Sequence, residues 1–250
     1  MILMKTNIND KDLHIRMEWL DKKILECFSY LKYKELFFPT TISEKNLEKI
    51  NYIKSFEEYL FKVEKVIELD KESPEYLTPA ACLHVYPYIT NETVNNLIVY
   101  STKNRCFRNE EKTDSMVRKK EFTMREFIFL SPNNNEIVEE REQAMHKFGE
   151  LISEIGVKYT VKLATDHFSD PDNKLKVLQK ISKAKYEFLV KIDGNEFSIA
   201  SFNLHGDHFT HSYGITGNKD NTIFSGCCAF GLERLAYCSL SEERIVDDRE

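Results

Sequence analysis

An α+β fold, with an antiparallel sheet flanked by helices, is predicted by three features of the sequence. Short β-favouring runs, "NLIVYST", "RCFRNE" and "EFIFLS", follow one another with no helix-length segment between them, so they are expected to pair as antiparallel neighbours. Segments with helical periodicity lie before and after this group instead of alternating with every strand, which argues against a doubly wound sheet. The composition, 42% hydrophobic and 30% charged over 250 residues, is that of a chain that buries a core.

Taken in order, residues 10 to about 31 carry Met17, Leu20, Ile24, Phe28 and Leu31 at steps of three and four, one buried stripe of a helix. "ELFFPTTIS" breaks that period, and Pro39 ends any helix there. Ser43 is placed to cap a second helix through "EKNLEKINYI", because its hydroxyl can accept from an unpaired first-turn amide. A long helix is predicted over residues 135–155, where Ile137, Ala144, Phe148, Leu151 and Ile155 are in phase and Gly156 is placed to stop it. "KYTVKLA", "YEFLVKI", "FSIASFNL" and "HSYGIT" read as further strands, and "GLERLAYCSL" as a final helix entered from a glycine-containing turn. No repeat, low-complexity tract or clear linker is found, so residues 1–250 are expected to form one domain with a short N-terminal helical extension over about 1–37.

A net charge of −6 argues against broad nonspecific nucleic-acid binding, which relies on an excess of Lys and Arg. Apolar runs such as "EFIFL" and "YEFLV" fall far short of the roughly 18–20 residues that cross a bilayer, so no membrane span is expected. The N-terminus turns polar after "MILM", unlike a secretory signal, and a cytoplasmic location is expected. Six cysteines, at 27, 82, 106, 227, 228 and 238, then point to reduced thiols or metal ligands. With no CxxC pair among them, a zinc ribbon is excluded.

No GxGxxG or GxxxxGKS/T phosphate loop is present, so a nucleotide would have to be held by side chains. The segment "NRCFRNEEKTDSMVRKKEFTMREF", residues 104–127, offers them. In a strand Arg108 and Glu110 share one face, and an arginine fork suits phosphate through paired charge-assisted bonds. Taken alone, the same segment is better explained by a surface ion pair between strands.

Further blocks change the balance. "CFRNE", "EKTDSMVRKK" and "EFTMREFIFL" resemble the second signature of the class II aminoacyl-tRNA synthetase catalytic core: a Phe-Arg-x-Glu strand, a variable loop and a returning strand. "AFGLERL" resembles its third, a small-residue turn before a helix carrying Glu-Arg, with the usual triple glycine reduced to Ala229 and Gly231. Within the class, "FFPTTI…NYIKSFEEYL", "TPAACLHVYP", "TMREF", "ASFNLHGDHF" and "SGCCAFGLERL" are similar in order and spacing to seryl-tRNA synthetases of the zinc-dependent archaeal kind. They are more similar still to the truncated homologues of those enzymes, the amino acid:carrier protein ligases. The likeness runs from about residue 38 to 240.

The resemblance implies a class II catalytic core that activates a small amino acid with ATP and passes it to the phosphopantetheine thiol of a carrier protein. Glycine or alanine is the favoured substrate, with serine the alternative. A seryl-type synthetase charging tRNA is the rival, set back because only about 37 residues precede the likeness where such enzymes carry a tRNA-binding domain. A catalytically retired paralogue acting as a binding module would have lost catalytic residues that are present here.

Residue by residue, the resemblance implies a zinc site of Cys82, Glu126 and Cys227, whose open fourth position takes the substrate α-amino group; Cys228 is the rival ligand. Arg108 would bind the α-phosphate and the amino-acid carboxylate, Glu110 the adenine amine and Arg234 the γ-phosphate, with Phe122 stacked on the adenine. Arg108 and Arg234 are therefore the catalytic candidates. Glu196 falls near the acidic ligand for Mg²⁺, and Ser201 and Asn203 lie in the adjoining substrate strand after a one-residue shift. The histidines of "HGDHFTH" are expected to support the site or the fold without ligating, and Cys27, Cys106 and Cys238 to be buried structural thiols. Residues 111–120 are expected to be a mobile loop, where Arg118, Lys119 and Lys120 form a patch suited to an acidic partner or to solvent. A homodimer through about residues 38–66 is also implied.

Overall fold

In the computed structural model, which describes residues 8–64, 73–110, 117–166, 174–192 and 194–247, the chain enters through α1 (Asp10–Cys27). Asn9 caps this helix by accepting from the Asp12 amide, and Leu13, Leu20 and Ile24 are buried along one face. A 3-10 turn over Ser29–Leu31 then leads to β1 (Lys34–Leu36). Beyond Pro39 come β2 (Thr41–Ser43) and α2 (Glu44–Lys49), with the Ser43 hydroxyl accepting from the Asn46 amide as its position predicts. The helix does not continue through Ile53. Asn51 adopts a left-handed conformation, φ 55°, and begins a separate α3 (Tyr52–Phe56). β3 (Lys62–Val63) and β4 (Glu75–Leu77) join β2 in a small antiparallel sheet, and a 3-10 turn over Ala81–His84 runs into α4 (Val85–Tyr88).

The remaining elements are β5 (Ile98–Phe107), β6 (Glu121–Ser131), α5 (Asn134–Glu154), β7 (Thr160–Leu163), α6 (Lys174–Ile181), β8 (Lys185–Ile192), β9 (Asn195–Gly206), α7 (His208–Ser212), β10 (Phe224–Gly231) and α8 (Leu232–Asp247). Among the described residues the main sheet has the order β1-β5-β6-β10-β9-β8-β7, antiparallel at every pairing except β1 with β5.

Four expectations are corrected. "NLIVYST" and "RCFRNE" are not two strands but parts of β5, because Lys103 and Asn104 continue the register against Arg125 and Met124 without a turn. β5 stops at Phe107, so Arg108 and Glu110 leave the strand; the Arg108 amide donates to the Lys120 carbonyl instead. "HSYGIT" is not a strand, since His211 and Ser212 finish α7 and Gly214, at φ 63°, turns the chain. Conversely the small-residue turn expected before the last helix, at Ala229 and Gly231, is the end of β10 ("FSGCCAFG"), which lies at the middle of the sheet. Its small residues suit that place: a Cβ at Gly226 would stand 2.7 Å from the Asn203 carbonyl oxygen of β9.

The sheet divides two cores. On one face α1, α5 and α8 pack over Phe127, Phe202, Cys228 and Phe230, with the Phe148 ring 4.7 Å from that of Phe230. The segment expected as an N-terminal extension contributes Leu13, Leu20, Ile24 and Phe28 to this cluster. The other face holds Tyr86, Ile128, Leu130, Tyr213 and Cys227. Side-chain alternation along β10 therefore sends Cys228 and Phe230 one way and Cys227 the other. No helix among the described residues is long and apolar enough to cross a membrane.

Candidate active site

A cavity of about 560 Å³ opens on the second face. Cys82 enters it from the 3-10 turn before α4, Glu126 from β6 and Cys227 from β10, and their ligand atoms all lie within 4.8 Å of one another. Glu126 is opposite Ala229 and Cys227 opposite Ile128, so the two side chains are diagonal neighbours on one face of adjacent strands. The turn delivers Cys82 because the Ala81 and Cys82 amides both donate to Glu126 Oε1, at 2.8 and 3.2 Å. Cys228, the rival ligand, faces away into the aromatic core. All six cysteines are described and none forms a disulfide.

These groups perturb one another's ionisation in opposite directions. Burial, and then the neighbouring Cys227, push the Glu126 carboxyl up to about 8. A hydrogen bond between the two sulfurs lifts the Cys82 thiol well above the ordinary cysteine range and holds Cys227 well below it. Asn203 Nδ2 and His205 Nε2 also face Cys227 Sγ, at 3.4 and 3.5 Å. Two buried sulfurs and a carboxylate this close form a donor set that a borderline-soft divalent cation fits, and the ion's charge would offset theirs.

Arg108 and Glu110 line the same cavity. Arg108 Nε donates to the Pro79 carbonyl at 3.0 Å and its guanidinium lies 5.2 Å from the centre of the Phe122 ring. Glu110 is paired with Arg118 Nε at 3.3 Å. Phe122 and Arg234 are not among the residues forming the cavity wall. Phe122 packs against the small cluster of Ala81, Cys106, Met124 and Ala229. Arg234, in the first turn of α8, donates from Nε to the Val117 carbonyl at 2.7 Å and from Nη1 to the Ser198 carbonyl. Its neighbour Glu233 ties α8 to β6, accepting from the Thr123 amide at 2.7 Å and from the Thr123 hydroxyl at 2.8 Å.

On β9, Ser201 and Asn203 line the cavity, with Asn203 Nδ2 donating to Ser201 Oγ at 3.2 Å. Glu196 does not. Its carboxylate is exposed and bound to Lys162 Nζ at 2.7 Å. An irregularity in the β8–β9 ladder lies between the two sets, where Ile199 and Ala200 both pack into the aromatic core.

Sequence reasoning missed an ionic wall of this cavity. Lys185 Nζ donates to Asp166 Oδ1 at 2.7 Å and forms an ion pair with Glu187 Oε1 at 3.2 Å. Gln179 of α6 donates to Asp166 Oδ2 at 2.8 Å and accepts from the Asp166 amide at 2.9 Å. Strand pairing alone reveals this, since Cys227, Asn203 and Lys185 form one row across β10, β9 and β8. His205 was legible, because it continues the alternation of Ser201 and Asn203. His208 instead places Nε2 3.0 Å from the Ile50 carbonyl. Of the basic patch, Arg118 is held by Glu110, and Lys120 donates to Asn109 Oδ1 at 2.9 Å. The greater part of the expected mobile loop, residues 111–116, lies outside the described residues.

Residues 61–243 match the tRNA synthetase class II core domain family (G, H, P, S and T). The chain belongs to that family. This class II core is 29% identical over 226 residues to amino acid–(acyl-carrier-protein) ligase 1 of Bradyrhizobium diazoefficiens, covering 80% of this chain and 69% of that protein. It is 24% identical over 250 residues to the type-2 serine–tRNA ligase of Methanococcus maripaludis, covering 84% of this chain and 48% of that one. Among solved structures, M. kandleri SerRS in complex with A. aeolicus tRNASec aligns with a TM-score of 0.80 at 19% identity, over 92% of this chain and 52% of that chain. The chain thus spans about half the length of the serine enzymes it matches. The expected fold class, a largely antiparallel sheet flanked by helices, is the one this family shares.

Proposed function

We propose that this class II core activates a small amino acid, glycine or alanine favoured, with ATP and transfers it to the phosphopantetheine thiol of a carrier protein. What carries the proposal is the Cys82, Glu126 and Cys227 cluster in the same cavity as Arg108. The similarity to an acyl-carrier-protein ligase supports the acceptor.

Adenylate formation needs alignment and positive charge more than a covalent protein intermediate. The amino-acid carboxylate attacks the α-phosphorus, and pyrophosphate leaves with the bonding electrons. Arg108 would bridge that carboxylate and the α-phosphate, while Arg234 would meet the γ-phosphate and Mg²⁺ would neutralise the triphosphate. Glu110 would exchange Arg118 for the adenine amine, with Phe122 as the stacking surface. Cys82, Glu126 and Cys227 would hold zinc, which when bound supplies a Lewis-acid position for a free α-amino group. Ser201 and Asn203 would border the substrate. The carrier thiol then attacks the acyl carbon, and AMP leaves. A homodimer and a cytoplasmic location belong to the same proposal.

The test is to incubate the protein with ATP and each of the common amino acids, scoring ATP–pyrophosphate exchange, and then to offer holo-carrier protein and tRNA side by side. Exchange with one or two small amino acids and a thioester on the carrier are expected. Charging of tRNA with no carrier product would reject the acceptor.

A further inference from the structure

Cys227 is engaged by more than the other members of its cluster. His205 Nε2 stands 3.5 Å from its sulfur, and the imidazole is itself fixed, with Nδ1 2.9 Å from the Tyr86 hydroxyl. That hydroxyl lies 3.3 Å from Ser225 Oγ. Tyr86 is wholly buried, its ring 4.8 Å from Phe209 and 6.4 Å from Tyr213, so it cannot swing aside. Phe209 also meets the imidazole edge-on at 4.9 Å.

A thiolate offers only lone pairs, so the imidazole nitrogen facing it has to carry the proton. Nδ1 must then accept, and Tyr86 is placed to donate to it. The chain of donors from Tyr86 through His205 ends on the Cys227 sulfur. His205 is not within the mutual 4.8 Å group of Cys82, Glu126 and Cys227, so it acts on the sulfur and not on the ion.

We propose that His205 is the positioning residue of the Cys227 ligand, holding its sulfur in one orientation through a hydrogen bond whose geometry Tyr86 sets. This rests on the metal reading of the cluster. Outer partners of this kind tune how tightly and in what geometry an ion is held.

Co²⁺ is the probe, titrated into the metal-stripped full chain. The wild type is expected to bind about one equivalent with a sulfur-to-cobalt charge-transfer absorption. His205→Ala should weaken Co²⁺ about 10–100-fold and move that absorption. His205→Gln, whose amide can still donate, should recover part of both, and Tyr86→Phe should fall between wild type and His205→Ala. Thermal melts show which variants are folded; the glutamine and phenylalanine variants preserve volume and carry the test if alanine disrupts the fold. Unchanged affinity and absorption in the folded His205 variants would overturn the positioning role and leave the metal site standing. Failure of the wild type to bind Co²⁺ would overturn both.

Discussion

Arg125 and Glu126 are consecutive residues of β6, both nearly inaccessible to solvent, and they face opposite sides of the sheet. On the helix side Arg125 is fully answered: Nε and Nη2 donate to Asp21 at 2.7 and 3.0 Å, and Nη1 donates to Glu35 and to Ser101. On the cavity side Glu126 meets Cys82 and Cys227, groups that become anions themselves. The first cluster is closed, because every charge has a fixed opposite. The second is open, because its own members cannot all ionise without a cation from elsewhere. Buried charge therefore reads as architecture on one face and as a site on the other.

The largest expected effect is on metal content. Cys82→Ala and Cys227→Ala should each remove about one equivalent of bound metal by elemental analysis, whereas Cys228→Ser should keep it. Full retention in both alanine variants would erase the contrast between the faces. Next in size, Arg125→Met leaves Glu35 without its cation and Asp21 with Lys103 alone, and should cost about 3–5 kcal/mol in a denaturant titration. An unchanged midpoint would show that network to be dispensable.

The two faces should also respond to pH with opposite sign. Glu126 has its carboxyl raised from an ordinary 4.5 to about 8, so folding favours the protonated form; in metal-stripped protein that contribution is full below 4.5 and fades as pH rises toward about 8. For Asp21 burial resists ionisation, but the Arg125 hydrogen bond and charge outweigh it and hold the group below its ordinary 3.8. Its contribution is present above 3.8 and is lost as pH falls through the lowered value. Melting temperatures of the metal-stripped chain should decline between pH about 5 and about 8, and Glu126→Gln should flatten that decline. A slope surviving in Glu126→Gln would assign it to another group. The smallest effect is at the rim of the closed cluster, where Lys103, bound to Asp21 at 3.0 Å and to the exposed Glu18 at 3.3 Å, should cost only ~0–1 kcal/mol as Lys103→Met.

Periodicity made the helices α1 and α5 legible, because the stripes of Leu20 and Ile24 and of Ala144 and Phe148 face the same core they predict. β10 was illegible for the opposite reason. Gly226, Cys227, Cys228 and Ala229 lack strand propensity, and only their place between β6 and β9 makes them a strand. The Cys82, Glu126 and Cys227 set is visible in the sequence through family likeness alone, since no spacing relates residues that come from a turn and two strands. Glu196 shows how the surroundings change along one strand. It precedes Ser201 closely, yet beyond the ladder irregularity the same strand runs out to solvent and to Lys162. Asp166 and Lys185 are close along the chain only across α6, and strand pairing rather than pattern brings them to the cavity.

The diagonal meeting of Glu126 and Cys227 exists only once β6 has zipped against β10, and Cys82 must arrive from a turn far earlier in the chain. Contacts of such sequence separation close slowly and are rewarded late in folding. An ion that recognises the finished triad binds the native chain and not its unfolded ensemble, so it stabilises by mass action. Its grip would be felt first as slower opening of the central pair of strands, with the sheet edges at β1 and β7 left to fray at their own rate.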